Sequence, residues 1–434
     1  MIDRRRGTPR TDDVMADPRL RAASDRVGHQ LVKQAVRGAL DRCRAGEITP
    51  EDVADEAYRR VPPTASALRA VVNATGVLVH TNLGRAPLSA AAIDALVLAA
   101  GATNVELNLE TGRRERRGRS ALATLGAASP EAEAVHVVNN GAAALALAAC
   151  AFAANRNIVV ARGEMVEIGD GFRIPDLLES VGATLREVGT TNRVHRRDYA
   201  EAIDEQTGFV LKVHPSNFVV EGFTSTVSIS ELAGLPVPVV ADIGSGLLQP
   251  NRRLPDEPSA SAALRAGADL VTASGDKLMG GPQCGILLGR MDLVEKLRSH
   301  PLARAMRVDK LTLAALEATL LGPPPPVVAA LSTSADELMT RARGLAEQVS
   351  ALTPAEAVSS SAAVGGGGAP GLTLPSAAVS LSPALAKPLR AGQPAVMGHI
   401  TGDRLLLDLI AVPPAQDSLL AQAIHRALGS RKAD

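Results

Sequence analysis

Hydrophobic positions change their spacing along the chain, and these changes divide it into regions of different structure. Between residues 19 and 44, apolar side chains recur mostly every three or four positions, which predicts amphipathic helices in residues 1–70. From residue 71 to 322, short β-branched runs alternate with alanine-rich stretches, as is typical of a mainly parallel sheet covered by helices on both faces. The runs that predict strands begin at Val135, Ile158, Phe209, Val237 and Ala268.

A proline-rich segment that begins at Gly322 interrupts this pattern, because consecutive prolines cannot continue a helix. The mixed pattern beyond it predicts a small α+β domain. Its predicted elements are an amphipathic helix at 335–352, a glycine turn from Gly365, strands at 378–381 and 404–410, and a closing helix at 419–428. We therefore predict three domains: helical at 1–70, large α/β at 71–322 and small α+β at 323–434.

The composition fits a folded globular protein of 434 residues, since 46% of the residues are apolar and 21% are charged. Lys and Arg together number 46, as do Asp and Glu, which excludes a chain-wide basic field for nucleic acid. Only 2% of the residues are aromatic, which disfavours proteins that stack single-stranded bases on aromatic side chains. Basic residues slightly outnumber acidic ones in residues 1–70, so an RNA contact would have to be local.

Three widely separated cysteines, Cys43, Cys150 and Cys284, form no C-x-x-C pair, which argues against a disulfide framework and a structural zinc site. The N-terminus leads into no apolar signal segment. The longest apolar run, Gly141 to Ala154, is too short to cross a bilayer. We therefore expect a cytoplasmic protein with neither a membrane partner nor a bound metal.

Two charged side chains follow predicted strands in the large domain. Lys277 lies in a glycine-rich turn just beyond the strand that begins at Ala268, and Asp242 ends the strand that begins at Val237. Burial lowers the pKa of a lysine, as Schiff-base chemistry requires. A carboxylate at a strand end can keep a pyridinium nitrogen protonated. A lysine in such a turn is by itself more often structural, but the two residues together indicate catalysis with pyridoxal 5′-phosphate (PLP).

A third feature of the same domain suits the PLP phosphate. An apolar run leads directly into Asn140, Gly141 and Ala142, which open a predicted helix. Free N–H groups and the helix dipole favour an anion at such a position. Ser274, three residues before Lys277, can add a hydroxyl to the same phosphate. Asn-Asn-Gly alone is more often a helix cap, but the three features in this order indicate a PLP site.

Several longer stretches carry a specific sequence pattern. They are Val72-Asn-Ala-Thr-Gly-Val-Leu-Val-His-Thr-Asn-Leu-Gly-Arg85, Glu110-Thr-Gly-Arg-Arg, Arg162-Gly-Glu-Met-Val-Glu-Ile-Gly, Phe172-Arg-Ile-Pro-Asp, Gly189-Thr-Thr-Asn-Arg, Lys212-Val-His-Pro-Ser-Asn, Glu221-Gly-Phe-Thr, Ser274-Gly-Asp-Lys and Pro301-Leu-Ala-Arg-Ala-Met-Arg-Val-Asp-Lys. These stretches closely resemble bacterial selenocysteine synthases, which are seryl-tRNA(Sec) selenium transferases. The resemblance extends from about Asp17 to the C-terminus and is densest in the large domain.

The resemblance implies a fold-type I PLP-dependent transferase in which Lys277 binds the cofactor. It implies that seryl-tRNA(Sec) loses water to give a dehydroalanyl intermediate on PLP, and that selenium from selenophosphate then adds to give selenocysteinyl-tRNA(Sec). The N-terminal domain would contact the tRNA. Because sites of this fold type are commonly completed by a second subunit, a homo-oligomer is implied, with a dimer as the minimum and a ring of dimers as the family's arrangement.

The resemblance also implies that Arg85, Arg304 and Arg307 form an anion site for selenophosphate. Arg304 and Arg307 would share one face if their stretch is helical, although without the resemblance they would be interpreted as a solvated surface. His214 follows a predicted strand and is a candidate contact of the PLP ring. Further arginines could contact tRNA phosphates or a neighbouring subunit: Arg113, Arg114, Arg116, Arg117 and Arg119.

Three positions depart from the residues that this family commonly has. Gly368 stands in place of a serine, and His399 and Ile410 stand in place of arginines. These departures leave open which residues bind the aminoacyl end. Two alternatives also stay open: a PLP-dependent lyase for a small amino acid or sugar acid, which would not need the N-terminal domain, and a non-catalytic RNA-binding scaffold, which would not need Asp242 and Lys277.

Overall fold

Contacts within the chain distinguish two units, Met1–Ala70 and Val71–Asp434, and this computed structural model describes residues 7–429. The amphipathic stretch of the first unit is divided at Gly28, whose φ of 94° is a left-handed conformation that ends a helix. Asp17 begins that helix by accepting the Arg19 N–H at 2.8 Å. The helices of this unit are α1 (Thr11–Met15), α2 (Pro18–Val27), α3 (His29–Arg44) and α4 (Val53–Arg60).

The second unit contains the remaining helices and all the described strands. The strands are β1 (Val71–Asn73), β2 (Val77–Val79), β3 (Ala134–Val138), β4 (Asn157–Ala161), β5 (Glu167–Ile168), β6 (Phe172–Arg173), β7 (Thr184–Val188), β8 (Thr207–Val213), β9 (Val239–Asp242), β10 (Leu270–Ser274), β11 (Gly285–Gly289), β12 (Glu356–Gly365), β13 (Thr373–Leu381), β14 (Ala395–Met397), β15 (His399–Thr401) and β16 (Arg404–Asp408). The helices are α5 (Ala90–Ala100), α6 (Arg119–Ala128), α7 (Gly141–Ala153), α8 (Ile174–Ser180), α9 (Arg196–Ala202), α10 (Ile229–Leu232), α11 (Ala260–Arg265), α12 (Met291–Ser299), α13 (Pro301–Ala305), α14 (Lys310–Leu321), α15 (Pro326–Ser332), α16 (Ala335–Ser350), α17 (Ala386–Ala391) and α18 (Asp417–Gly429).

A seven-stranded sheet forms the centre of the second unit, in the order β3-β11-β10-β9-β8-β4-β7. The strands from β10 to β7 are parallel to their neighbours, and β11 is antiparallel to both β10 and β3. Helices α7, α8 and α12 pack on one face, and α6, α11 and α14 pack on the other. The predicted mainly parallel sheet between two helical layers is thus confirmed.

The register of this sheet brings the ends of three strands together. Asp242, the last residue of β9, lies opposite Thr272 of β10 on one side and Val213 of β8 on the other. Lys277 follows β10, and His214 follows β8. Because parallel strands end at the same edge, the side chains that follow β8, β9 and β10 share one crevice, which is where open α/β sheets bind ligands.

A second sheet joins the two ends of this unit in the order β15-β16-β13-β12-β2. Strand β2 runs parallel to β12, with Val79 opposite Gly365, and β1 separately runs parallel to β14. Residues 71–79 therefore pair with the C-terminal strands, although the sequence places them in the large domain. Their three-residue strands are too short to show which sheet they join.

Two of the positions at which this chain differs from the residues common in the family, His399 and Ile410, lie in or near this second sheet. Ile410 is buried and donates its N–H to Asp408 Oδ1 at 3.0 Å. Asp408 is itself fully buried and also accepts from the hydroxyls of Ser360 and Ser376 at 2.5 and 2.7 Å. His399 begins β15, where its Nδ1 is buried without a partner in the described chain. Apolar packing thus fills the position of Ile410.

One described segment, Lys310–Ser332, is long and apolar enough to cross a membrane, with a mean hydropathy of 1.2 over its best window. It consists of two helices, α14 and α15, which are separated by Gly322 and the prolines that follow it. Helix α14 packs against α5 and α6 of the same unit. An apolar helix with a packed face also meets these length and composition criteria, so the segment is weak evidence for a membrane span.

Candidate active site

Lys277 lies in the turn that follows β10, and its side chain is largely surrounded by protein. Loss of hydration lowers its pKa, since a charged ammonium is poorly solvated there, and the positive charge of Arg85 acts in the same direction. The carboxylates of Asp242, Asp276 and Glu257 oppose this shift. A lysine with a lowered pKa is available as a nucleophile and as a proton carrier.

Asp242 presents its carboxyl group at the end of β9. Burial raises the pKa of this carboxyl, while the Thr272 hydroxyl, which donates to Oδ1 at 2.8 Å, and the nearby Lys277 charge oppose the shift. The His214 N–H donates to the Asp242 carbonyl at 2.9 Å and keeps the end of β8 beside it. A desolvated carboxyl of this kind is stabilised by a cationic N–H partner, which a pyridinium ring provides.

The predicted phosphate-binding residues are also brought together. Asn140 caps α7 by accepting the Ala143 N–H at 2.8 Å, so its side chain acts as the helix cap. The first N–H groups of the helix, on Gly141 and Ala142, have no acceptor within it. A Cβ atom on Gly141 would lie 2.6 Å from Ser274 Oγ, so only glycine lets this hydroxyl approach the start of the helix. N–H groups, a hydroxyl and the helix dipole therefore converge on one point.

This set of groups fits PLP. Asp242 would serve the ring nitrogen, Lys277 the aldehyde carbon, and the α7 start with Ser274 the phosphate. The lowered pKa of the Lys277 amine suits attack on a carbonyl carbon, and a pyridinium nitrogen would supply the positive partner that offsets the burial of the Asp242 carboxyl. Of the predicted cofactor residues, Gly141, Ala142, Asp242, Ser274 and Lys277 thus have a group suited to a defined part of the cofactor. The Asn140 side chain caps α7 instead, and His214 lies at the adjacent strand end.

A loop that the sequence did not assign to the site covers Lys277. This glycine loop, residues 365–369, follows β12. A Cβ atom on Gly367 would lie 2.9 Å from Lys277 Nζ and 3.4 Å from Ser216 Oγ. A Cβ on Gly368 would instead approach Leu278 Cδ1 at 3.1 Å, so a serine there would press on a movable side chain. The four consecutive glycines in the sequence could have indicated this contact, because backbone that approaches another group this closely has no room for side chains.

Arg85 lies beside this centre, and its guanidinium binds Asp276, the residue before Lys277. Its Nη1 is 2.9 Å from Asp276 Oδ2, and its Nε is buried without a partner in the described chain. The backbone of Arg85 has a φ of 65°, which is uncommon for a residue with a side chain. The site therefore includes Asp276 and Arg85 as an ion pair next to the lysine.

Arg304 and Arg307 do not share a helix face, because the condition for it, a helix that includes both residues, is not met. Helix α13 ends at Ala305, and Arg307 instead forms an isolated β-bridge with Val138 at the end of β3. Arg304 is exposed and has no ion pair among residues 7–429, and Arg307 Nη1 is 4.0 Å from Glu106 Oε1. The bridge places Arg307 beside the strand that leads into Asn140.

The other arginines of this region are partly occupied within the chain. Glu106 pairs with Arg114 at 3.2 Å and with Arg117 at 3.3 Å, and these charges lower its pKa. Arg119 pairs with Glu115 at 3.1 Å. In the part of the chain that the structure describes, no cluster of His, Cys, Asp and Glu is arranged to hold a metal ion. Ion pairing thus explains three of these arginines without a ligand.

A cavity of about 690 Å³ borders Asp242 and His214 but not Lys277. Glu164 and Lys212 form a buried ion pair on its wall, and Glu164 also accepts the Val213 N–H at 3.0 Å. Because Asp242 and His214 belong to its walls, this cavity adjoins the crevice that contains the lysine. It leaves room beside the centre for a group larger than a free amino acid.

Two family models match the amino-acid sequence of this chain. The family model described as L-seryl-tRNA selenium transferase matches residues 71–413, and the model described as selenocysteine synthase N terminal matches residues 5–44. The L-seryl-tRNA(Sec) selenium transferase of Geobacter metallireducens is 44% identical over 91% of this chain and 92% of that protein. The enzyme of the same name from Carboxydothermus hydrogenoformans is 39% identical over 94% of each chain.

Among solved structures, D-glucosaminate-6-phosphate ammonia-lyase is similar with a TM-score of 0.59. The likeness covers 85% of this chain and 97% of that one at 21% sequence identity. A likeness at this identity concerns the fold, which is the fold-type I architecture, and leaves the reaction to be argued from the site.

Proposed function

Because this chain belongs to the L-seryl-tRNA selenium transferase family, we propose that it converts seryl-tRNA(Sec) to selenocysteinyl-tRNA(Sec) with selenophosphate as the selenium donor. This membership confirms the resemblance seen in the sequence. The observation that carries the reaction is the largely enclosed Lys277 with a lowered pKa at the edge where Asp242 ends the neighbouring strand. A binding scaffold without catalysis would have no use for this pair.

We propose PLP as the cofactor, held by Lys277, Asp242, Ser274 and the N–H groups of Gly141 and Ala142. When bound, PLP supplies an electron sink that acidifies the Cα proton of the seryl group and allows its Cβ hydroxyl to leave. Lys277 takes and returns the proton at Cα, because desolvation lowers the pKa of its amine and so makes the neutral, basic form more accessible. Asp242 keeps a positive partner in place, and the glycine loop keeps water away from the amine.

The test is a selenium-transfer assay with the purified protein, seryl-tRNA(Sec) and selenophosphate. We expect selenium to appear on the tRNA only when all three are present and PLP has been added. Seryl-tRNA for another serine codon is the matched control and should react far less. Release of ammonia or water from a free amino acid or sugar acid, with no selenium on the tRNA, would contradict the proposal and support a lyase.

We propose that Arg85, Arg304 and Arg307 hold selenophosphate. Loss of a charge-assisted hydrogen bond costs about 1.5–3 kcal/mol, so Arg304→Ala should lower selenium transfer by about one to two orders of magnitude. Loss of the seryl hydroxyl should continue, because it does not need the selenium donor, and it can be followed by adding a thiol as an alternative nucleophile. Arg304 is the cleanest choice, since Arg85 also binds Asp276.

Arg186→Ala is the matched control for this experiment, since Arg186 is exposed and, among residues 7–429, forms an ion pair only with Asp204. It should leave both half-reactions unchanged. Equal loss of both half-reactions in Arg304→Ala would mean that this arginine serves folding, subunit contact or tRNA binding instead of the anion.

We propose that the first unit contacts the tRNA. Four exposed arginines on or beside α1, α2 and α3, namely Arg10, Arg21, Arg26 and Arg37, form no ion pair within residues 7–429. Replacing Arg21, Arg26 and Arg37 together with glutamine should weaken tRNA binding and make it less dependent on salt, because about one counterion is released per phosphate contact. Binding measured from 50 to 300 mM salt tests this; the PLP absorbance is the control and should not change. An unchanged salt slope would contradict it.

We also propose a homo-oligomer. Helix α5 exposes Ile93, Val97 and Leu98 by 50%, 68% and 76%, and the neighbouring Leu321 by 69%. Large apolar side chains grouped in this way favour burial against another protein surface. A second copy of this chain is the partner that the fold type uses.

A further inference from the structure

Glu257 has an unusual environment for a residue outside the predicted site. Its side chain is completely buried in the loop before α11. Its Oε2 accepts the N–H of Ala369 and lies 3.3 Å from His214 Nε2, while its Oε1 is buried without a partner in the described chain. A buried carboxylate is costly unless its contacts serve some purpose, since apolar residues would pack there at less cost.

The two partners of Glu257 belong to different parts of the site. His214 follows β8 and binds the Asp242 carbonyl through its N–H. Ala369 is the last residue of the glycine loop, and its φ of 45° is a strained conformation for alanine. In this conformation the Ala369 N–H donates to the Glu257 carboxylate, and the hydrogen bond offsets part of the cost of the strained backbone.

The glycine loop also has an intrinsic reason to need such a support. Gly365, Gly366 and Gly367 all have positive φ values, of 72°, 53° and 80°. Glycines have many accessible conformations, and fixing them costs conformational entropy. Within the loop, Gly368 donates its N–H to the Gly365 carbonyl at 3.1 Å, which is a local turn and does not tie the loop to the large sheet.

We propose that Glu257 is a positioning residue that fastens the glycine loop to His214 and thereby holds Gly367 over the amine of Lys277. The carboxylate lies within hydrogen-bond distance of His214 Nε2 and accepts the loop N–H at the same oxygen. When this contact is intact, the loop limits water around Lys277 Nζ, the desolvation that the proposed function requires. When it is absent, the loop samples open conformations and the amine becomes hydrated.

The test compares the full-length wild type with Glu257→Ala, Glu257→Gln and Asp256→Asn. Asp256 is the adjacent exposed carboxylate and forms no ion pair in the described chain, so its variant is a matched control for charge. Hydrogen–deuterium exchange is measured on the cofactor-free proteins for peptides that cover residues 365–372 and, as a reference, β10. The exchange therefore depends on neither PLP nor tRNA.

We expect Glu257→Ala to speed exchange of the loop by about tenfold or more with β10 unchanged. Glu257→Gln should speed it only about two- to fivefold, because an amide oxygen can still accept from Ala369 but lacks the charge. Asp256→Asn should match the wild type. With PLP bound, Glu257→Ala should lower kcat for selenium transfer by about tenfold while KM for seryl-tRNA changes by less than about twofold.

Unchanged loop exchange in Glu257→Ala, or an equal rise in β10, would overturn the inference. If Glu257→Ala does not fold, Glu257→Gln decides, and wild-type exchange in that variant overturns it. The kinetic part rests on the proposed function, whereas the exchange part does not. Normal loop exchange in an enzyme that transfers selenium would thus refute only the role of Glu257, and faster exchange in a protein that transfers none would refute only the proposed function.

Discussion

Replacing Lys277 with alanine should lower selenium transfer by roughly 10⁴-fold and abolish covalent retention of PLP. The reason is that this amine is the cofactor's attachment point and the group that moves the proton at Cα. Its lowered pKa, caused by burial and by Arg85, makes it suited to both roles. The measurement is the visible absorbance of the purified protein, followed by borohydride reduction and mass spectrometry of the labelled peptide.

Lys387→Ala is the control for this prediction, since Lys387 is exposed on α17. It should keep both the absorbance and the labelled peptide. Recovery of reduced cofactor on Lys212 or Lys310 would contradict the assignment. Lys212 is the stronger competitor by position, but its pairing with the buried Glu164 keeps its amine occupied.

Replacing Asp242 with asparagine should lower selenium transfer by about two to three orders of magnitude and weaken PLP binding. Asparagine keeps an oxygen that can accept from the Thr272 hydroxyl, but it cannot balance a pyridinium charge. Thr272→Val, which removes only that hydrogen bond, should cost about tenfold. The two variants thus separate the charge of Asp242 from its orientation.

Thermal unfolding of the cofactor-free protein distinguishes this role from a structural one. Burial raises the pKa of Asp242 above its value in an unfolded chain, so folding favours the protonated form. Its contribution to stability is therefore greatest at low pH and falls as pH rises from the unfolded pKa through the folded one. At pH 7, cofactor-free Asp242→Asn should unfold at a Tm no lower than the wild type. A clearly lower Tm would show that Asp242 supports the fold itself.

The sequence predicted that Asp242 and Lys277 lie close together, because local patterns determine where their strands end. Strand periodicity identified the ends of β9 and β10, and the parallel arrangement required Asp242 and Lys277 to meet. The approach of Ser274 to Gly141 follows from the same edge, since β3 and β10 both flank β11. These relations need only the order of strands and their direction.

The sequence did not predict the groups that come from loops. Glu257 and the glycine loop reach the surroundings of Lys277 through tertiary packing, as does Arg85 through its ion pair with Asp276, and no spacing in the chain indicates these contacts. A shared helix face for Arg304 and Arg307 also depends on tertiary contacts, since the helix ends at Ala305 and Arg307 instead forms a bridge with Val138. Helix periodicity describes a segment in isolation, whereas a pairing with a distant strand can override it.

The pairing of β2 with β12 has a consequence for how this protein is made. Residues 71–79 leave the ribosome early, yet their hydrogen-bonding partners are synthesised only after all seven strands of the large sheet. Such distant contacts form slowly, and until they form, β1 and β2 are unpaired edges that can associate with other chains. The glycine loop directly follows β12, so the cover of Lys277 is among the last parts to assemble. A nascent chain can thus complete its PLP-binding edge well before it can shield the Lys277 amine. We therefore expect the chain to need chaperones mainly during the last part of its synthesis.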